Sequence, residues 1–167
     1  MNLPKNQSHQ FDDISRQIGN LDFEIFHWFN HGKFSLYDLL EYVLTITGKA
    51  DLAVSSFSIS EAAIRRFLYL QNISLVSSVR FLFDHSTQKN KLSQLVFLNK
   101  SFEVRIANNH TKIVLIQNDD FHIVISTSSN LNENRRHENG FISTDKKTFE
   151  LFSGYFNELF NAAIPFA

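Results

Sequence analysis

HTKIVLIQNDDFHIVISTSSNLNENRRHE, residues 110–138, is the stretch whose reading decides the fold. Ile113 to Ile116 is an apolar run, Asn118-Asp119-Asp120 is a turn cluster, and Phe121 to Ile125 is a second β-favouring run. This pattern predicts two antiparallel strands joined by a short loop. The polar residues gather at the open end of that hairpin. His110 and Lys112 enter the first strand two residues apart and so on one face. Thr127-Ser128-Ser129-Asn130-Leu131-Asn132 leaves the second strand, and antiparallel pairing returns it to the side of His110. An imidazole, an ammonium, hydroxyls and amides then share one edge of a sheet.

Upstream of the hairpin, apolar runs alternate with amphipathic ones. Residues 1–10 read as a flexible N-terminal tail, and Phe11 to Ile18 as a short helix closed by Gly19-Asn20. Leu21 to Phe29 and Asp51 to Phe57 read as strands. Between them lies His31-Gly32-Lys33-Phe34-Ser35-Leu36-Tyr37-Asp38. Ser35 followed three residues later by Asp38 is a helix-start pattern, and Leu36, Leu39, Leu40, Val43 and Leu44 then recur at helical spacing. Asp38 is therefore read as a capping carboxylate, with Gly48 ending the helix. Ser60 to Tyr69 and Ser86 to Leu98 are predicted helices, and Ser78 to Asp84 and Phe102 to Ala107 strands. Downstream, Gly140 to Ser143 is a strand. Lys146 to Ala163 is a helix whose Phe149, Phe152, Phe156, Leu159 and Phe160 form one apolar stripe. Strands alternating with helices and followed by a late run of strands predict an α/β fold, a mixed sheet with helices on both faces.

The 167 residues suit one domain, expected to span 11–167, with a core large enough to need no metal or disulfide. The absence of cysteine excludes disulfides and thiolate metal sites. The first residues lack the charged start and apolar stretch of a signal peptide, and no apolar run reaches a membrane span of roughly 20 residues. A cytoplasmic protein with no membrane partner is expected. A net charge of −1 gives no global pull on polyanions, so any such binding must come from a local patch. His27 and His31 have the spacing of a helical metal pair, but they fall at a strand end and a loop without an acidic partner in register. No metal site is expected there. No phosphate-binding glycine loop or Gly-x-Ser-x-Gly elbow occurs.

The hairpin residues resemble the signature of the phospholipase D superfamily: His-x-Lys, four residues, Asp, six residues, Gly-Ser-x-Asn. His110, Lys112, Ser128 and Asn130 match it, Thr127 stands where glycine is usual, and Asn130 to Arg135 continues in the family's manner. Glu138 lies where members carry a downstream carboxylate. Counting four residues past Lys112 reaches Gln117, whereas counting six back from Thr127 reaches Asp120. Asp120 is thus the possible motif acid of a hairpin longer than the usual one.

The resemblance implies a phospholipase D-like half, of the kind found in short single-motif bacterial endonucleases. It implies metal-independent phosphodiester transfer, without a cofactor, through a phosphohistidine. His110 is the expected nucleophile, Lys112 and Asn130 hold the phosphoryl oxygens, Ser128 donates one more hydrogen bond, and Glu138 orients the imidazole. Arg135, Arg136 and Asn132 are candidate substrate contacts. A single motif copy supplies one histidine where two are needed, which implies a homodimer with a composite site. Nucleic acid, DNA first, is the expected partner. The alternative is a catalytically inactive module of the same fold that holds nucleic acid or protein.

Overall fold

The computed structural model describes residues 5–133 and 136–167. Its centre is an eight-stranded mixed sheet of order β1-β7-β6-β5-β2-β3-β4-β8. The strands are β1 (Ile25–Phe29), β2 (Ala50–Ser56), β3 (Val76–Asp84), β4 (Glu103–Ala107), β5 (Ile113–Gln117), β6 (His122–Thr127), β7 (Asn139–Ser143) and β8 (Ile164–Pro165). β2, β3 and β4 run parallel, and the remaining pairs are antiparallel. Among the described residues six helices accompany them: α1 (Lys5–Ile18), α2 (Leu36–Thr47), α3 (Glu61–Asn72), α4 (His85–Asn90), α5 (Leu92–Leu98) and α6 (Lys146–Ala162).

The strand pattern explains how both faces are covered. Val114 and Ile116 join the core formed with α1, α2 and α3, whereas Ile113 and Leu115 join the core formed with α6. Alternate residues of one strand thus enter different cores, which is why β5 reads as a continuous apolar run. The α6 stripe supplies Phe149, Phe156 and Phe160 to the second core. The expected α/β sheet with helices on both faces is the observed one. Among the described residues, no helix is long and apolar enough to cross a membrane.

The Ser35–Asp38 reading holds in detail. Ser35 accepts from the Asp38 N–H while the Asp38 carboxylate accepts from the Ser35 N–H at 2.8 Å, a reciprocal cap at the start of α2. His31-x-Lys33 is therefore the loop before a helix and not a second hairpin entry.

Among the boundaries that differ from the sequence reading are three that bear on the packing. The first helix starts at Lys5, within the stretch read as a tail. β1 is shorter than Leu21 to Phe29, because Leu21 takes a left-handed φ of 66° that no strand accommodates. The helix expected over Ser86 to Leu98 breaks at Lys91 (φ −134°, ψ 33°) into α4 and α5. The break lets Thr87 donate to Phe57 O while Leu95 and Leu98 reach the core.

The topology brings several polar chain ends together. β2 pairs antiparallel with β5, Ser55 opposite Ile113, so the C-terminal ends of the parallel strands lie beside the open end of the β5–β6 hairpin. Ligands of open α/β sheets bind at such C-terminal strand ends.

Candidate active site

His110 is an exposed residue held between two anchored neighbours. Asn109, 3% exposed, donates from Nδ2 to Ser55 Oγ at 2.8 Å, and its Oδ1 accepts from Thr111 N at 3.1 Å and Thr111 Oγ1 at 2.6 Å. The Ser55 and Thr111 hydroxyls are 2.6 Å apart. The Asn109 N–H donates to Asp84 Oδ2 at 3.1 Å. Burial pushes the Asp84 carboxyl up, but hydrogen bonds from Ser86 and from the Asn109 N–H, with His85 nearby, outweigh it, and the net pKa lies below the usual aspartate value. The backbone on each side of His110 is thereby tied to β2 and β3.

The imidazole packs on the Phe57 ring, centroids 4.7 Å apart and planes 55° apart. Lys112 Nζ donates to His110 O at 2.9 Å, lies 3.4 Å from His110 Nδ1 and sits 5.9 Å from the Phe57 centroid. His110 Nε2 has no hydrogen-bond partner among the described residues. Partial burial lowers the Lys112 pKa, opposed by the negative charge of Glu138. The ammonium therefore faces a carboxylate in a partly dehydrated place.

The arm leaving β6 is fixed by backbone bonds. Thr127 N donates to Lys112 O at 3.1 Å, extending the hairpin ladder, and Thr127 Oγ1 donates to Asn139 O at 2.8 Å while accepting from Ser129 N at 3.0 Å. The threonine in the place usual for glycine thus braces its own turn. Leu131 is bridged to Ile59 in parallel, and its N–H donates to Ser58 O. Between these anchors, Asn130 Oδ1 accepts from Phe57 N at 3.2 Å and Ser56 Oγ at 3.5 Å. The amide oxygen is occupied by protein, which leaves its NH2 group as the donor for a ligand.

Glu138 immediately precedes β7 and is held against Asn30, the residue that follows β1. Its N–H donates to Asn30 Oδ1 at 2.8 Å and its carbonyl accepts from Asn30 N at 3.0 Å. A side chain at Gly140 would collide with Ser126 O and lie 2.8 Å from the Trp28 ring, so β7 can follow β6 here only with glycine. Where the sequence reading gives Glu138 a bond to His110, the carboxylate accepts from Ser128 Oγ. Ser128 is correspondingly engaged with Glu138, a second difference from its expected role.

These groups border a cavity of about 790 Å³. His110, Lys112, Ser128 and Asn130 line one part of it, and Leu151, Phe152 and Tyr155 of α6 another. A separate polar cavity of about 380 Å³ lies on the other side of Asn130, lined by Ser58, Ser60, Lys91, Asn132, Glu133, Arg136 and Glu138. Arg136 and Asn132 thus stand beside the His110 cavity and not in it. Arg135, the third candidate contact, lies outside the described residues.

Asp120 is not brought to this site. It sits in the exposed turn at the far end of the hairpin, a β5 length of roughly 17 Å from His110 at about 3.4 Å per residue. Gln117 ends the same strand. The turn is held instead by Asn118, whose Oδ1 accepts from Asp120 N and Phe121 N and whose Nδ2 donates to Thr47 O and Lys49 O. Among the described residues, no cluster of three His, Cys, Asp or Glu is arranged to hold a metal.

Phe57, Asn109 and Asn30 are contacts that sequence reasoning missed. Phe57 had a usable signal: it follows Ser55-Ser56 at the end of a buried strand, where polar residues have no reason to occur unless they border a site. Asparagine is a common turn residue, and nothing local in the sequence distinguishes a turn asparagine from one, like Asn109 or Asn30, that braces a distant strand.

No protein-family model matches the chain, and no curated protein matches it in sequence. Solved structures do match. Nuc from Salmonella typhimurium, a phospholipase D family member, aligns over 85% of this chain and 97% of its own at 14% identity and a TM-score of 0.63. NucT from Helicobacter pylori aligns over 86% of this chain and 100% of its own at 18% identity and a TM-score of 0.64. Phosphatidylserine synthase from Haemophilus influenzae aligns over 85% of this chain and 40% of its own at 13% identity and a TM-score of 0.62. The chain therefore has the fold of the phospholipase D family, in the short form that Nuc and NucT share along nearly their whole length, as the hairpin signature implied.

Proposed function

We propose that the protein is a metal-independent phosphodiesterase, a nuclease, that works through a phosphohistidine at a site composed from two copies of the chain. The carrying observation is the convergence of an exposed imidazole, a partly dehydrated ammonium and an amide NH2 group at one cavity. In the first step His110 Nε2 bonds to phosphorus as the bond to the leaving oxygen breaks, and His110 of the partner subunit gives that oxygen its proton. In the second, the partner's His110 takes a proton from water, the water oxygen bonds to phosphorus, and the P–N bond breaks. Lys112 and the Asn130 NH2 group bind the non-bridging oxygens, where charge builds in both transition states.

Leu151 and Tyr155, 71% and 48% exposed, support the second copy. They form an apolar surface on the same cavity as His110, where an isologous contact would cover them and bring the two imidazoles together. Nucleic acid is the proposed substrate, by analogy with the short members of the fold.

The test is incubation of wild type and His110→Ala with single-stranded DNA, duplex DNA and bis(p-nitrophenyl) phosphate in excess EDTA. Cleavage by wild type alone is the expected result. Cleavage by both forms, or by neither, overturns the enzymatic reading. One observation favours a second reading, a module that binds nucleic acid or protein without cutting: His110 Nδ1 faces an ammonium and not a carboxylate. DNA retention that is equal in both forms, with no cleavage by either, is its signature.

A further inference from the structure

The two flanks of the Asn130 amide differ in chemistry. On one side the cavity wall is the apolar face of α6. On the other is the polar cavity of about 380 Å³, a volume in the range of ligand sites. Asn130 lines both cavities. A chain of phosphodiesters with one group held at His110 therefore has a polar route leading away from the reaction centre past Asn130.

Lys91 gives that route its cation. It is half-buried on the cavity wall, at the break between α4 and α5. Among the described residues, no carboxylate lies at ion-pair distance from its ammonium and no hydrogen bond occupies it. Its stem is partly covered while its ammonium, on the cavity wall, is open to an anionic ligand. Donors accompany it. Asn132 Oδ1 accepts from Ser58 Oγ at 3.5 Å, and the Asn132 NH2 group is unengaged among the described residues.

Two carboxylates share the cavity. Glu138 is held by Ser128, and Glu133 is exposed, so with Lys91 and Arg136 the lining carries no net positive charge. Free phosphate gains little there. A phosphate tethered to one already bound at His110 enters at high effective concentration and needs far less intrinsic affinity.

We infer that this cavity, with Lys91 as its cation and Asn132 and Ser58 beside it, is a subsite for the phosphodiester adjacent to the one being cleaved, which makes an oligomer the preferred substrate over an isolated diester. The inference rests on the phosphodiesterase reading for the identity of the cleaved group. In the proposed dimer the subsite occurs twice, once on each side of the paired imidazoles, as a polymer passing through the site requires.

The test compares wild type, Lys91→Ala, Lys91→Arg and, as a control remote from the cavity, Lys100→Ala. Binding of a short fluorescein-labelled single-stranded oligodeoxynucleotide is followed by anisotropy across a salt series, and bis(p-nitrophenyl) phosphate hydrolysis is measured in parallel. Lys91→Ala is expected to weaken oligonucleotide binding several-fold and to reduce the slope of log K against log salt by about 0.7, the value for one lost phosphate contact to a single strand. Lys91→Arg and Lys100→Ala are expected to bind like wild type, hydrolysis of the small diester to be unchanged, and inorganic phosphate not to compete at moderate concentration. Unchanged affinity and slope in Lys91→Ala, an equal loss in Lys100→Ala, or no binding by wild type overturns the subsite. Lys91-dependent binding without hydrolysis of any diester leaves the subsite standing and removes the enzyme.

Discussion

The backbone N–H of Phe57 donates to Asn130 Oδ1 at 3.2 Å, and this bond occupies the amide oxygen, leaving the NH2 group for the phosphoryl oxygen of the proposed mechanism. A backbone donor at the end of β2 thereby preorganises a side-chain donor on the arm beyond β6. Asn130→Asp keeps the acceptor for Phe57 but places a second anionic oxygen where the NH2 group stood. Its hydrolysis of an activated diester is expected to fall further than that of Asn130→Ala, which should lose about 10²–10³ in kcat as other preorganised donors do. Equal activity in Asn130→Asp and wild type would sink the donor assignment.

Asn109 touches no substrate in the proposed arrangement, yet it holds the backbone on both sides of His110, the proposed nucleophile, through Asp84, Ser55 and Thr111. Asn109→Ala leaves the Ser55 and Thr111 groups without their buried partner. Stability should fall by about 1–3 kcal/mol, the cost of unsatisfied buried polar groups. Because the binding donors stay in place, kcat should fall while KM for the diester changes little. Urea unfolding and steady-state kinetics on the same preparation separate the two effects, and a rise in KM at constant kcat would argue against a positioning role.

What could be read in advance follows the range of the interactions. The hairpin was legible because alternation, turn residues and the pairing rule all act within about thirty residues of chain. The Ser35–Asp38 cap was legible for the same reason, and it kept His31-x-Lys33 from passing as a second motif. The partners that complete the site come from elsewhere: Phe57 lies 73 residues from Asn130, and Asn30 lies 108 from Glu138. Ser128 illustrates the same limit. Its position in the motif was readable, but not that Glu138 would take its hydroxyl. Counting along the chain points to Asp120 as the motif aspartate, whereas in the structure Asp120 lies in a turn braced by the uncharged Asn118 oxygen.

The Lys112 ammonium should set the alkaline limit of activity. Partial burial lowers its pKa from the ordinary 10.5, and the Glu138 charge partly offsets the shift. In the proposed mechanism the charged form binds the phosphoryl oxygens, so activity should be present below the lowered pKa and lost as pH rises through it. Lys112→Arg, whose guanidinium stays charged to above about pH 12, should retain activity further into the alkaline range. Glu138→Gln removes the influence that raises the lysine pKa and should move the alkaline limb to lower pH. Profiles of kcat against pH for the three proteins test this, and superimposable alkaline limbs would assign the loss to another group.

The composite site proposed above requires two copies to meet where His110 is exposed, and the apolar part of that surface is Leu151 and Tyr155, one helical turn apart on α6. Leu151→Glu and Tyr155→Glu each bury a charge twice in an isologous contact, once from each copy. Sedimentation should show a monomer, and diester hydrolysis should be lost although His110, Lys112 and Asn130 are intact. Mixing and re-equilibrating wild type with an equal amount of His110→Ala supplies an independent measure. Random pairing leaves about a quarter of the dimers with two histidines, so activity per total protein should fall to roughly a quarter of the wild-type value, against roughly a half for independent sites. A wild-type monomer in sedimentation, or activity that follows the independent-site proportion, would mean that each chain cleaves alone and that the second proton carrier must be sought within it.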